Sequence, residues 1–510
     1  MKKRKPTGNS ILRFIFVIVS ILLQVGWILI LTLKLNSWSS WMYALTSLFS
    51  IGVVLRLNSK HTNAAMKMPW VMLILILPVM GLSLYLLVDI LSDPGVGKRL
   101  HAVREDMKDE IPVNAEAALE DLERQDLASA NQARYLWHCN RWPVYENTAV
   151  TYYREAKNAF EAMKQDLEKA EKFIFMEYFI VEDASCFQEI EDILVRKRAQ
   201  GVEVRLMYDD IGSMWKVNML FAKRLNNEGI HCQPFNPALP VLNLFLNHRD
   251  HRKVTVIDGK VGYTGGYNLA EEYFDRAHPY GAWKDTGLRL EGEAVRSLTA
   301  IFLELWCVQN RKKENYGTYL DIVHSVPATG FVQPYGDNPL AEERVAEEVY
   351  LNLVSQSNKT LYFSTPYLII TDEMHRALCL AAKRGVDVRI ITPGTPDKKT
   401  VYAVTRSYYA GLVRHGVRIF EYTPGFCHAK QCLCDGKIAS VGTSNLDYRS
   451  LYHHFENNVV LYGCDAVQDI AADFEQMFSQ CQEVTEQYRA GRGAVLRTRL
   501  YILRLFAPLL

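Results

Sequence analysis

Two segments of the chain carry the same polar residues at the same offsets. The first runs His251-Arg-Lys253-Val-Thr-Val-Ile-Asp258-Gly259, followed by Gly265, Gly266 and Asn268. The second runs His428-Ala-Lys430-Gln-Cys-Leu-Cys-Asp435-Gly436, followed by Gly442, Thr443 and Asn445. Residues two apart on a strand share a face, so each His projects together with its Lys. Two copies about a twofold would bring two imidazoles and two ammonium groups into one cleft. That set suits the breaking of a phosphodiester without metal or cofactor, because Lys and Asn donors supply the charge stabilisation a metal would otherwise give. One neutral imidazole attacks phosphorus, while the other donates its proton to the leaving alkoxide and then serves as base for the incoming hydroxyl. Gly265 and Gly442 open tight stretches where backbone N–H groups can approach an anion, with Asn268 and Asn445 as further donors. Asp-Gly between two apolar runs is also a hairpin signal, so Asp258 and Asp435 serve either the turn or the chemistry. Either motif alone would pass for ordinary histidines; the duplication reverses that reading.

The elements around the motifs repeat in the same order. In the first copy an apolar strand, Phe173 to Val181, leads to a helix around Ile190 to Arg198, then Gly201 to Tyr208, then Gly229 to Cys232. In the second, Leu361 to Ile370 is followed by the helix Met374 to Lys383, then Gly385 to Ile391, then Gly416 to Glu421. Strands alternating with short helices predict βα units with a largely parallel sheet, in two domains related by a pseudo-twofold.

Composition bounds the rest. At 510 residues with 49% hydrophobic and 23% charged, the chain holds two or three globular units. Lys+Arg 58 against Asp+Glu 57 gives a net charge of +1, which leaves no general pull toward nucleic acid. The ten cysteines show no CxxC and no repeated short spacing, so neither a disulfide framework nor a thiolate metal site is expected. Residues 1–94 are far more apolar than the remainder. Ile11 to Leu35 exceeds the ~20 residues a helix needs to cross a bilayer, a weaker run spans Trp41 to Leu57, and a third covers Met68 to Leu91. Two or three transmembrane helices are therefore expected, with Trp41 to Leu57 open to an interfacial reading. Lysine and arginine placement favours three spans, the scattered cysteines favour two, and the side faced by the remaining chain stays open. A charged helical connector is expected over 95–140, the two domains over 141–325 and 326–488, and a basic amphipathic helix over 489–510, either on anionic lipid or capping the second domain.

HxKx4D followed by GGxN and again by GTxN resembles the duplicated signature of the phospholipase D superfamily. The apolar start with Trp70 to Tyr85, the run Gly262 to Leu269, Trp283-Lys-Asp-Thr286, Thr365-Pro-Tyr367 and Ser444 to Ser450 narrow the likeness to the bacterial cardiolipin synthases. The resemblance spans nearly the whole chain. It implies an α/β fold of two phospholipase D-like domains behind N-terminal transmembrane helices, placed as a multi-pass protein in a bacterial cell membrane. It implies phosphatidyl transfer between two phosphatidylglycerol molecules through a phosphohistidine, with phospholipids and the membrane as partners and no nucleic acid. Water as acceptor, giving a phospholipase, is the alternative; a non-enzymatic lipid scaffold is a distant third. The family's catalytic residues fall on His251, Lys253, Asp258, His428, Lys430 and Asp435. Gly266, Asn268, Thr443 and Asn445 fall on its phosphate-supporting positions. The family also places an orienting acid downstream of each motif: Glu456 for the second, Asp285 for the first. Family precedent favours His251 as nucleophile. Gly287 and His454 depart from the pattern, where many relatives have His and Asn, and leave acceptor choice open. The second lipid substrate and the oligomeric state are not legible.

Overall fold

The computed structural model describes residues 40–91, 95–108, 115–238 and 247–489, with isolated positions outside these ranges. The first half contributes strands β1 (Thr148–Tyr153), β2 (Phe173–Tyr178), β3 (Glu203–Asp209), β4 (His231–Phe235), β5 (Arg249–Asp250), β6 (Lys253–Ile257), β7 (Val261–Gly265), β8 (Ala282–Lys284) and β9 (Gly287–Gly292). The second contributes β10 (Phe331–Asp337), β11 (Thr360–Ser364), β12 (Leu368–Ile369), β13 (Asp387–Pro393), β14 (Arg418–Tyr422), β15 (Gly425–Cys427), β16 (Gln431–Cys434), β17 (Ile438–Gly442), β18 (Leu446–Asp447), β19 (His454–Tyr462) and β20 (Cys481–Glu483).

The sheet orders repeat as expected. One sheet runs β1-β9-β7-β6-β2-β3-β4 and the other β10-β19-β17-β16-β11-β13-β14, with β20 added at its edge. The expected parallel character holds for only one side of each sheet. β2, β3 and β4 are mutually parallel, as are β11, β13 and β14, because helices connect them. The motif strands β6 and β16 instead pair antiparallel on both sides, since Asp-Gly turns fold each directly back into β7 or β17. Asp258 and Gly259 both take positive φ (55° and 67°), as do Asp435 and Gly436 (52° and 64°), the backbone of a type I′ hairpin.

Two short pairings join the halves. β5, directly before His251, pairs parallel with the start of β19, and β15, directly before His428, pairs parallel with β8. The buried helix α4 (Val295–Asn310) packs against β6 of one sheet and β10 of the other. Its Glu304 takes the fully buried Arg252 guanidinium at 3.2 Å, while Ile301 O accepts from the same group at 2.8 Å.

Among the described residues the N-terminal expectation is not met. Ahead of α4 in the chain come α1 (Ser40–Ser59), α2 (Ala64–Ile76) and α3 (Pro78–Leu91), and no helix among the described residues is long and apolar enough to cross a membrane. The Met68 to Leu91 run falls on two helices, the later part of α2 and the whole of α3, broken at Leu77 (φ −129°, ψ 73°), because Pro78 disfavours helical backbone in the residue before it. Gly81 then lets α3 approach α2: a Cβ there would lie 2.5 Å from Leu73 O. Trp41 to Leu57 is helical within α1, and Val53, Leu57, Ile74, Leu82 and Tyr85 form a separate small core. The Ile11 to Leu35 run lies outside the described residues apart from isolated helical positions. The 489–510 helix also lies outside them, although Arg504 sits over the Tyr408 ring at 4.1 Å.

Asp258 and Asp435 are not brought to the cleft, which corrects their expected catalytic role. Five residues beyond its Lys, each lies at the far end of its strand. Asp258 accepts from the backbone N–H groups of Glu171, Lys172 and Phe173 at 2.7–2.9 Å, and Asp435 from those of Asn358, Lys359 and Thr360 at 2.7–2.9 Å. Asp258→Ala should therefore destabilise by about 2–4 kcal/mol, and Asp435→Ala by less because water reaches its exposed donors. Urea midpoints should fall while turnover per folded molecule is retained; a hundredfold turnover loss in folded protein would return these residues to the chemistry.

Candidate active site

Each motif histidine is oriented by an acid from the opposite half. His251 Nδ1 lies 2.9 Å from both Glu456 oxygens, and His428 Nδ1 lies 2.7 Å from Asp285 Oδ2. The acids anticipated from the sequence are both present, but their assignment is exchanged: Glu456 serves the first motif and Asp285 the second. The cross-half strand pairs explain the exchange. His251 N–H donates to Phe455 O at 2.9 Å and His428 N–H to Lys284 O at 2.7 Å, so each imidazole enters beside the residue preceding the other half's acid.

Register identifies equivalent positions. Gly265 pairs with Gly287 and Gly442 with Asn458, which makes Asp285 the counterpart of Glu456, Thr286 of Asn457, and Trp283 of His454. The two imidazoles consequently meet different walls. His428 is ringed by Tyr273, Trp283 and Phe426 at centroid distances of 5.3, 5.4 and 5.8 Å. His251 faces Phe179 at 4.9 Å and His454 at 5.3 Å.

The supporting residues act mainly on the acids and loops. Gly266 is required by Asp285, whose Oδ1 would lie 2.1 Å from a Cβ at that position. Thr443 Oγ1 donates to Glu456. Asn268 accepts from Ile180 N–H at 3.0 Å and donates to the Tyr273 hydroxyl at 2.7 Å, so it holds the loop that carries an aromatic wall. Asn445 is buried with an unpartnered Oδ1. Three features escaped the sequence reading. Asn457 accepts from the Lys253 N–H at 3.1 Å across the interface, Asp209 clamps Arg249 through contacts of 2.8–3.0 Å just before His251, and Lys284 meets Asp473 at 2.8 Å. None belongs to the repeated motif; only spatial pairing reveals them.

Burial governs the electrostatics. It pushes Lys253 down to about 7 and Lys430 down to about 8, against the upward pull of Glu456 and Asp285 respectively. Burial first, then the charge of the neighbouring Lys, lowers both imidazoles: His428 to about 4 and His251 well below its ordinary range. The acids diverge. Burial pushes Glu456 well up, whereas the charges of His428 and Lys430 overcome burial and hold Asp285 below the usual carboxylate range. His428 Nδ1 lies 2.7 Å from Asp285 Oδ2 and from Lys430 Nζ alike, so it either donates to the carboxylate or accepts from the lysine. The cleft thus gathers positive potential around an anion-sized centre, with two imidazoles held by their Nδ1 atoms. It can bind a phosphodiester, attack it and move one proton. His251, His454 and Glu456 are the described residues whose ligand atoms, all within 4.8 Å of one another, could also hold a metal ion.

The family described as cardiolipin synthase, PLD-like domain, matches residues 163–306 and 350–478, one segment in each half. An uncharacterized protein of Streptococcus mutans is 41% identical over 463 residues, covering 90% of this chain and all of its own. A cardiolipin synthase of Halalkalibacterium halodurans is 33% identical over 495 residues, covering 94% of this chain and 97% of its own. The crystal structure of a phosphatidylserine synthase from Haemophilus influenzae covers 74% of this chain and all of its own at a TM-score of 0.57 and 14% identity, a likeness of fold.

Asp285→Asn and Glu456→Gln should each lower kcat by about 10²–10⁴-fold, the range of positioned acid–base groups, with little change in unfolding midpoint. As pH rises through about 7 and about 8, Lys253 and Lys430 lose their protons, so kcat/KM should fall on an alkaline limb far below the ordinary lysine range. A limb above pH 10 would show that the lysines keep ordinary acidity.

Proposed function

The chain belongs to the cardiolipin synthase family of phospholipase D-like proteins, and from that premise we propose that it is a phosphatidyltransferase that makes cardiolipin and glycerol from two phosphatidylglycerol molecules. The observation that carries the reading is the pair of histidine–acid units crossed between halves, with a lysine beside each imidazole.

His251 is the nucleophile in this reading. Its Nε2 attacks phosphorus, the bond from phosphorus to the glycerol oxygen breaks, and His428 gives that oxygen its proton. The hydroxyl of a second phosphatidylglycerol then returns a proton to His428 and attacks phosphorus, and the P–N bond to His251 breaks. The unequal acids favour this division. An ionised Asp285 suits an imidazolium at His428, and Glu456, whose carboxyl takes a proton readily, suits an uncharged His251 that sheds its Nδ1 proton as the phosphohistidine forms. Burial and Lys430 hold His428 near 4, so it takes up its proton from solvent as the substrate binds, the phosphate supplying the compensating negative charge. Lys253 and Lys430 hold the nonbridging oxygens, and removal of either should cost about 10²–10³ in kcat.

Lipid acceptors are favoured over water by the aromatic enclosure of His428, the group that deprotonates the acceptor. Membrane contact fits two exposed apolar surfaces: α1, with Trp41 82% exposed, and the segment after β3, with Trp215 45% and Leu220 65% exposed. That segment follows Asp209, which clamps the approach to His251.

Labelled phosphatidylglycerol as sole lipid substrate in vesicles should yield labelled cardiolipin plus free glycerol, with His251→Ala and His428→Ala inactive. Phosphatidic acid as the main product would replace the transferase with a lipase. Turnover should also survive chelator; a loss in EDTA restored by a divalent ion would place the charge stabilisation on a metal.

A further inference from the structure

His454 is unlike the other cleft histidines. It is 6% exposed, and neither ring nitrogen has a hydrogen-bond partner. A buried imidazole normally satisfies at least one nitrogen, because an unmade hydrogen bond in the interior is costly. Its counterpart in the other half, Trp283, also buries an unpartnered ring N–H, but an indole nitrogen only donates and offers no lone pair to a ligand, whereas His454 does. His454 Nδ1 lies 3.6 Å from Glu456 Oε1, a carboxylate that also reaches His251 Nδ1 at 2.9 Å. The three residues offer ligand atoms within 4.8 Å of one another. Phe179 covers both imidazoles, with ring centroids 4.9 Å from His251 and 6.2 Å from His454.

We propose that His251, His454 and Glu456 form a binding site for one divalent cation of the zinc class, and that its occupancy switches the enzyme off. Two imidazoles and one carboxylate are the donor set that suits zinc, cobalt or nickel and not magnesium or calcium, which prefer oxygen cages. Three protein ligands leave a fourth position toward the cleft for water. Inhibition follows from the lone pairs. Coordination through His251 Nε2 consumes the pair that must attack phosphorus. Coordination through Nδ1 moves the ring's proton to Nε2, which leaves no pair there either, and diverts Glu456 from its orienting role. The inhibitory half of the proposal rests on the assignment of His251 as a participating imidazole; the binding half does not.

The test uses the full-length chain freed of metal by dialysis against chelator, with Co²⁺ as the spectroscopic probe. One Co²⁺ should bind per chain with a visible d–d band that Zn²⁺ displaces. Saturating Zn²⁺ should lower phosphatidyl transfer by at least about 10²-fold, reversibly on adding EDTA. His454→Gln should lose the band, weaken binding beyond the roughly 10–100-fold that an outer-sphere partner costs, and resist Zn²⁺ when measured against its own metal-free rate. His454→Cys restores a ligand and should restore the band, which separates lost coordination from misfolding. Equal cobalt binding and zinc inhibition in wild type and His454→Gln would overturn the site by placing the metal elsewhere. An unchanged or raised wild-type rate under bound zinc would overturn the switch. Should the wild type make no cardiolipin at all, the cobalt band and its loss in His454→Gln still decide the site, so failure of the catalytic reading and failure of this one are distinguishable.

Discussion

A carboxylate from one half holding the imidazole of the other is the constraint around which the rest of the chain is arranged. His251 on Glu456 and His428 on Asp285 require two sheets to meet with their acid-bearing strands offset toward each other's motif. The short pairs β5 with β19 and β15 with β8 set that offset, and Arg249 on Asp209 and Lys284 on Asp473 anchor their ends. α4 fills the space between the sheets, and its Glu304 gives the buried Arg252 the partner without which an isolated charge would not remain there. Gly266 belongs to the same logic, since any side chain at that position would displace Asp285.

The interface also sets the chemistry through desolvation. Four basic groups facing one another out of water would repel, and burial loosens their protons while the ionised Asp285 offsets only part of the charge. Lysines at about 7 and about 8 and an imidazole at about 4 form a cleft suited to an anion. A phosphodiester completes it. The two halves differ in this respect despite their shared sheet order: aromatic rings surround His428, whereas His454 takes the equivalent place beside His251. Duplication supplied the scaffold, and divergence at one wall position gave the two imidazoles different surroundings.

Much of this is legible in the residues. The repeat of His, Lys, Asp, Gly, Gly and Asn offsets shows both halves and the acid–base groups, although the strand placement expected for each His and Lys is not met: His251, His428 and Lys430 stand just ahead of β6 and β16, not within them. The two orienting acids can be found by position, but their partners cannot, since nothing local tells whether an acid reaches its own motif or crosses an interface. Asp258 and Asp435 mislead because a motif shared in both copies can be conserved geometry as easily as chemistry; seven positions from the His, a strand has already left the cleft. The parallel sheet holds for half of each domain, where helices connect strands, and fails where Asp-Gly turns do. At the N-terminus apolar composition suggests one long helix from Met68, yet a single Pro at 78 and the small Gly81 convert it into two packed helices.

The crossed hydrogen bonds link residues 205 and 143 positions apart in the chain. During synthesis the first motif emerges long before Glu456, and the second follows Asp285 but cannot use it until the sheets dock. Neither half is a competent phosphodiesterase while it is being made. A nascent chain that meets lipid early therefore carries its histidines unoriented, and reactivity appears only once the last strands have closed. Contact order thus ties the appearance of the site to the completion of the whole chain.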